Sequence, residues 1–73
     1  MTNKVEQTIG QKVKAAREDK GWDQPELAKR TKELDIAGRG VKQQHISAIE
    51  SGRIKSPRHD IVKLLERALG IEL

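Results

Sequence analysis

Apolar residues recur along the chain at intervals of three and four, beginning with Ile9, Val13 and Ala16. That spacing lines one face of an α-helix, and Gly21 in "KG" is a natural residue to end it. Asp23 is then placed to cap a second helix, with Glu26 as its capping-box partner and Pro25 in the first turn, where a missing N–H costs nothing. Leu27, Ala28, Thr31 and Leu34 form the inner side of this helix. "DIAGRG" (35–40) interrupts the pattern. A third helix over about residues 42–51 carries Ile46 and Ile49 and stops at Gly52. Ser56 and Pro57 read as the N-cap and first position of a fourth helix. Ile61, Val62, Leu65, Ala68 and Leu69 line its inner side, and Gly70 ends it. Nothing has the period of a strand. The prediction is a compact all-α domain over 8–73, four main helices with an extended loop between the second and third, preceded by a flexible arm over 1–7.

Two charges break the apolar stripes. Arg17 falls on the inner face of the first helix and Glu50 on that of the third. Burying either alone is expensive, so the two either pair with each other or extend to the rim, where their stems stay covered and their heads meet water.

The third helix differs from a plain core helix in what it turns outward. With Ile46 taken as zero and about 100° added per residue, Ile49 and Glu50 share its face, whereas Gln44, Ser51, Ala48 and Ser47 lie opposite or to the side. Gln43 flanks them at the N-terminus. This surface of amides, hydroxyls and a methyl suits the edges of DNA bases. A glutamine amide pairs with N7 and the amino group of adenine, and an alanine or serine carbon can touch a thymine methyl. The helix N-terminus offers N–H groups to phosphate. An ordinary solvated polar face has the same composition.

Charge sharpens the picture. The 73 residues carry a formal net charge of +4, and Arg39, Lys42, Arg53, Lys55 and Arg58 face only Glu50 between positions 39 and 58. A basic block around the third helix fits an anionic partner, and equally a solvated basic face. There is no cysteine, one Trp, and neither Phe nor Tyr. The core must therefore be aliphatic and unstapled, close to the lower size limit for independent folding. No apolar run reaches membrane-spanning length and "MTNKVEQ" has no signal-peptide core, so a cytoplasmic protein with no membrane partner is expected. His45 and His59 have no neighbours at metal-ligand spacing. His45 is expected at the surface and His59 partly buried against the second helix. "GRG" (38–40) lacks the strand of a phosphate-cradling loop, and so small a core holds no catalytic pocket. Neither an enzyme nor a cofactor is expected.

The segment from Ile9 to Leu69 resembles the helix-turn-helix domain of the XRE, or lambdoid-repressor, family. "IGQKVKAAREDKGWDQPELAKR" is similar to its first two helices and "VKQQHISAIESG" to its recognition helix. The resemblance implies that Gln43 and Gln44 read bases and that Gln24 sits on phosphate at the start of the second helix. It also implies that Lys55 and Arg58 contact backbone, and that Arg17 and Glu50 form a buried ion pair. Ser47 and Ala48 join the base-reading surface by their position. Arg39, Lys42 and Arg53 join the phosphate contacts by their charge.

The departures lie around the third helix. Lys42 replaces the usual hydroxyl cap and Ala48 a longer polar reader. The stretch from Ala28 to Ile46 is about eight residues longer than in the family, roughly two helical turns. Leu34 continues the stripe of the second helix, which is therefore expected to run about one turn past the family norm. "DIAGRG" then becomes a flexible loop with Arg39 free to reach a phosphate. The fifth helix that often helps these proteins dimerise is expected to be missing or rudimentary.

"IESGR" and "LERALGIEL" are similar to the C-terminal domain of multiprotein bridging factors, which use the same fold to bind proteins. The expected function is sequence-specific binding of double-stranded DNA by a small transcriptional regulator, a repressor, acting as a homodimer. The alternatives are a bridging coactivator or a DNA-binding antitoxin subunit, with a transcription factor or a toxin as protein partner.

Overall fold

The computed structural model describes residues 7–73 and consists of α1 (Ile9–Asp19), α2 (Gln24–Leu34), α3 (Gln43–Ser51) and α4 (His59–Leu69), with no strand among the described residues. Except for Gln7, the arm expected over 1–7 lies outside the described residues. Helix α1 opens on a reciprocal cap that the sequence pattern had not suggested. Thr8 Oγ1 accepts from the Gln11 N–H at 3.1 Å while Gln11 Oε1 accepts from the Thr8 N–H at 2.9 Å. The Asp23 carboxylate caps α2 by accepting from the Glu26 N–H at 2.9 Å. Glu26 does not return the bond. Its carboxylate takes the Arg30 Nε–H at 2.7 Å one turn on, a charge-assisted partner.

Helix α4 starts later than the Ser56–Pro57 pair suggests. Arg58 is its N-cap and makes no side-chain cap. The preceding residues fold back on α3 instead, where the Arg53 and Ile54 N–H groups donate to the Ala48 carbonyl at 2.9 and 3.1 Å. This turn brings Ile54 against the core. The shift also exposes His59, expected to be partly buried. His59 begins the helix, about 200° round from Ile61.

Val13, Leu27, Val41, Ile46, Ile49, Leu65 and Leu69 form the core, with Ile9, Ala16, Ile71 and Leu73 among the partly buried residues around it. Helix α2 packs chiefly on α4, and α1 on α3. The α1–α3 contact is unusually close. A Cβ on Gly10 would overlap the Ile49 carbonyl, so glycine sets how near the third helix can come.

The connection between α2 and α3 differs most from expectation. Leu34 is exposed rather than inside, and Ile36 is fully exposed. Their place in the core is taken by Val41, 2% exposed. Its N–H donates to Thr31 Oγ1 at 2.8 Å, while the same hydroxyl donates to the Ala28 carbonyl. The loop expected to be flexible is organised around one carboxylate. Asp35 accepts from the N–H groups of Ala37, Arg39 and Gly40 at 3.1, 3.0 and 2.8 Å. Gly40, at φ 66°, lies so close to α2 that a Cβ would come within 2.6 Å of the Lys32 backbone. A side chain is excluded there by both space and backbone angle.

Two expectations test this packing. Alanine normally improves a helix relative to glycine by about 1 kcal/mol, but Gly10→Ala must push α3 away and should destabilise by about 1–3 kcal/mol. A raised melting temperature would contradict the close contact. The second concerns Asp35, held below its ordinary carboxylate value of 3.8 first by the Gly40 N–H and then by those of Ala37 and Arg39. A lowered folded value means that the loop's carboxylate stabilisation is complete above that ordinary value and disappears as pH falls through the lower one. An NMR acid titration should show the Gly40 amide moving with a midpoint below 3.8; a midpoint at or above it would contradict the three bonds.

Candidate nucleic-acid interface

The third helix is fastened from behind. The Glu50 carboxylate receives Arg17 Nε at 2.8 Å and Nη2 at 2.9 Å, a two-pronged bond from α1 to α3. Arg17 Nη1 donates to the Trp22 carbonyl at 2.8 Å, tying in the turn between α1 and α2. Gln24 Nε2 donates to Glu50 Oε1 at 3.1 Å from the first turn of α2. The two charged side chains are 10% and 5% exposed. Arg17 is held above its ordinary pKa, first by its hydrogen bonds to Glu50, which outweigh desolvation. Among the described residues no buried side-chain N or O lacks a partner, the condition under which a buried pair is tolerated. Lys20 and Arg30 each place a cation over the Trp22 ring, at 5.3 and 4.7 Å from its centre.

Held this way, α3 exposes Gln43, Gln44 and Ser47. None of the side-chain hydrogen bonds among the described residues uses these three, whereas the Ser51 hydroxyl is spent on the Ala48 carbonyl. Ala48 itself departs from the expected reading face. It is 8% exposed, because the turn after Gly52 folds over it and Ile54 lies beside it. Gln24 also differs from a free phosphate arm, since one amide N–H points at Glu50. Lys42 occupies the N-cap without a side-chain hydrogen bond. The first N–H groups of α3 therefore keep the unsatisfied donors of an uncapped helix start.

Arg39, Lys42, Arg53, Lys55 and Arg58 are all exposed. Arg39 and Lys42 come together beside the α3 N-terminus, where they border a hollow shared with Gln44 and His45. A second hollow joins them to Gln43, Lys29 and Lys32. Arg53 and Lys55 lie on the turn after α3, and Arg58 stands 3.7 Å from Asp60, both largely exposed. Lys29 and Lys32 were missed by the sequence reading. Their signal was the three-residue spacing on the outer side of α2, obscured by the nearby acids Glu26 and Glu33. Among the described residues no cluster of His, Asp and Glu is arranged to hold a metal, and no helix is long and apolar enough to cross a membrane.

Two helices joined through a turn, the second bearing free polar side chains and bordered by cations, define a helix-turn-helix DNA-binding domain. The Helix-turn-helix family model matches residues 13–73, and the chain belongs to this family, in its XRE group of DNA-binding regulators. No curated protein and no solved structure is similar enough to the chain to count as a match.

The fastening can be measured apart from DNA. Glu50→Ala leaves the Arg17 guanidinium buried without its carboxylate and should cost about 3 kcal/mol. Replacing both by apolar residues, as in Arg17→Met with Glu50→Leu, should recover part of that loss. Thermal melts in which the two single losses simply add would show that the groups do not act as a unit.

Proposed function

We propose that the protein is a sequence-specific repressor that lays α3 in the major groove of double-stranded DNA, with two copies on a two-fold site. The observation that carries this reading is the pairing of free readers with a fastened helix. Gln43, Gln44 and Ser47 have hydrogen-bonding capacity unused among the described residues, and Glu50 ties their helix to α1 and α2. Readers on a positioned helix lose less entropy on binding than readers on a mobile one. Gln43 and Gln44 stand at the N-terminal end of α3, the end from which recognition helices contact base edges. Their amides match the N7 and amino group of adenine, and the Ser47 hydroxyl accommodates more than one base.

Affinity comes from the cations around this end. Arg39 and Lys42 flank the helix start, and Arg53, Lys55 and Arg58 follow α3. Gln24 takes part chiefly by steadying Glu50, with its second N–H left for backbone. A repressor then acts by occupying its site. A two-fold site requires a two-fold pair of these surfaces, which makes a homodimer on DNA the matching assembly.

Fluorescence anisotropy with a site selected from random duplexes tests the reading. Gln44→Ala should weaken the preferred site by about 1–3 kcal/mol and relax preference at one base pair. With about three or four phosphates neutralised per copy, two copies should give a log–log salt slope of roughly −5 to −7. Arg53→Ala should flatten it by about one unit for each phosphate left unneutralised, with base preference nearly unchanged. No preferred duplex even at low salt would sink this reading in favour of a protein-binding role.

A further inference from the structure

The loop between α2 and α3 is longer than a helix-turn-helix turn requires, yet its backbone is accounted for donor by donor. Asp35 Oδ1 accepts from Ala37, and Oδ2 from both Arg39 and Gly40. The Gly38 N–H donates to the Asp35 carbonyl at 2.8 Å. The far end is fixed twice, by Gly40 against the Lys32 backbone and by the Val41 N–H on the Thr31 hydroxyl. Four of the five N–H groups from Ala37 to Val41 are thus bound to Asp35, and the fifth to Thr31. This construction does not bury the loop's own apolar residue, because Ile36 is fully exposed. It does place the Arg39 backbone, whose N–H is one of the three on the carboxylate. Arg39 in turn borders both hollows at the start of α3, next to Lys42, Gln43 and Gln44.

We propose that Asp35 is a positioning residue for DNA binding: by gathering the Ala37, Arg39 and Gly40 N–H groups it holds the inserted loop in one shape and delivers Arg39 to a phosphate beside the reading helix. The proposal rests on the DNA-reading function above. A loop that samples many shapes loses backbone entropy when its arginine binds. The carboxylate meets that cost during folding, so the free protein already presents Arg39. Asp35 itself, an anion, has no attraction for phosphate. Its side chain acts only through the loop, and removing a negative charge should by electrostatics alone strengthen DNA binding. Positioning and simple charge therefore predict opposite signs for the same substitution.

The test is a double-mutant cycle on the selected duplex, with Asp35→Ala, Arg39→Ala and the pair, each followed across salt concentrations. Arg39→Ala should raise Kd about fivefold per subunit near 0.15 M salt and flatten the salt slope by about 0.9 for each phosphate left unneutralised. Asp35→Ala should weaken binding in the same direction and flatten the slope, despite removing a negative charge. The double variant should match Arg39→Ala within about twofold, the margin of additivity for independent sites. Asp35→Asn keeps one acceptor oxygen and should fall between, which also covers the case that Asp35→Ala does not fold. Tighter binding by either Asp35 variant, an unchanged salt slope, or losses that multiply with Arg39→Ala would overturn the positioning role while leaving the DNA-reading function intact. A wild-type protein with no preferred duplex would overturn the DNA-reading function, and this inference with it.

Discussion

The two-pronged bond between Arg17 and Glu50 is the constraint on which the orientation of the third helix depends. An aliphatic core of Val, Leu and Ile is non-directional, and such side chains tolerate small slides and rotations of one helix on another. A guanidinium facing a carboxylate through two parallel bonds does not, since both distances and the plane must be met at once. Here the pair joins α1 to α3, Arg17 reaches the Trp22 carbonyl at the α1–α2 turn, and Gln24 adds the start of α2. Four bonds thus index three segments of the chain against one side of the third helix. The opposite side is left to meet a partner.

Close approach on the same helix pair works alongside this indexing. Gly10 lets the α1 backbone come up to the Ile49 carbonyl, one residue before Glu50. A larger residue would move α3 outward and strain the bonds to Arg17. The lack of large aromatic side chains in the core is part of the same economy. With the single Trp half-buried at the edge beside Lys20 and Arg30, small aliphatic residues fill the space between short helices, and the polar network supplies the direction that packing alone would not.

The loop between α2 and α3 answers a different constraint. A long connection costs little additional closure entropy, but a loose one beside a binding helix adds disorder where order is useful. The solution is local. A single carboxylate gathers three N–H groups, and a threonine hydroxyl on α2 receives the next. The loop therefore behaves as a bracket between α2 and α3 rather than as slack. Its apolar tip, Ile36, contributes nothing to the core.

Much of this was legible in the residues themselves, for reasons that are local. The stripes Ile9–Val13–Ala16, Leu27–Thr31 and Ile61–Leu65–Leu69, the Asp23 cap, and the stops at Gly52 and Gly70 depend on neighbours three or four positions away. Arg17 and Glu50 were visible as charges on inner faces, and Gln43, Gln44 and Ser47 as polar groups on an outer one. What the tertiary structure decided were matters of cover and partner. A helical wheel gives an angle about the helix's own axis but not what lies there, so Ala48 appeared free until the turn through Arg53 and Ile54 folded over it. Gln24 appeared free for phosphate until Glu50 was brought within 3.1 Å of it. Leu34 continued a stripe whose partner surface had ended, while Val41, outside any periodic run, took the core position because the Thr31 hydroxyl ten residues earlier holds its N–H. A glycine inside a helix, such as Gly10, is by itself a local cost. Only the approach of α3 makes a glycine necessary there, and that approach is a property of two segments folded together, which the residues around position 10 do not encode.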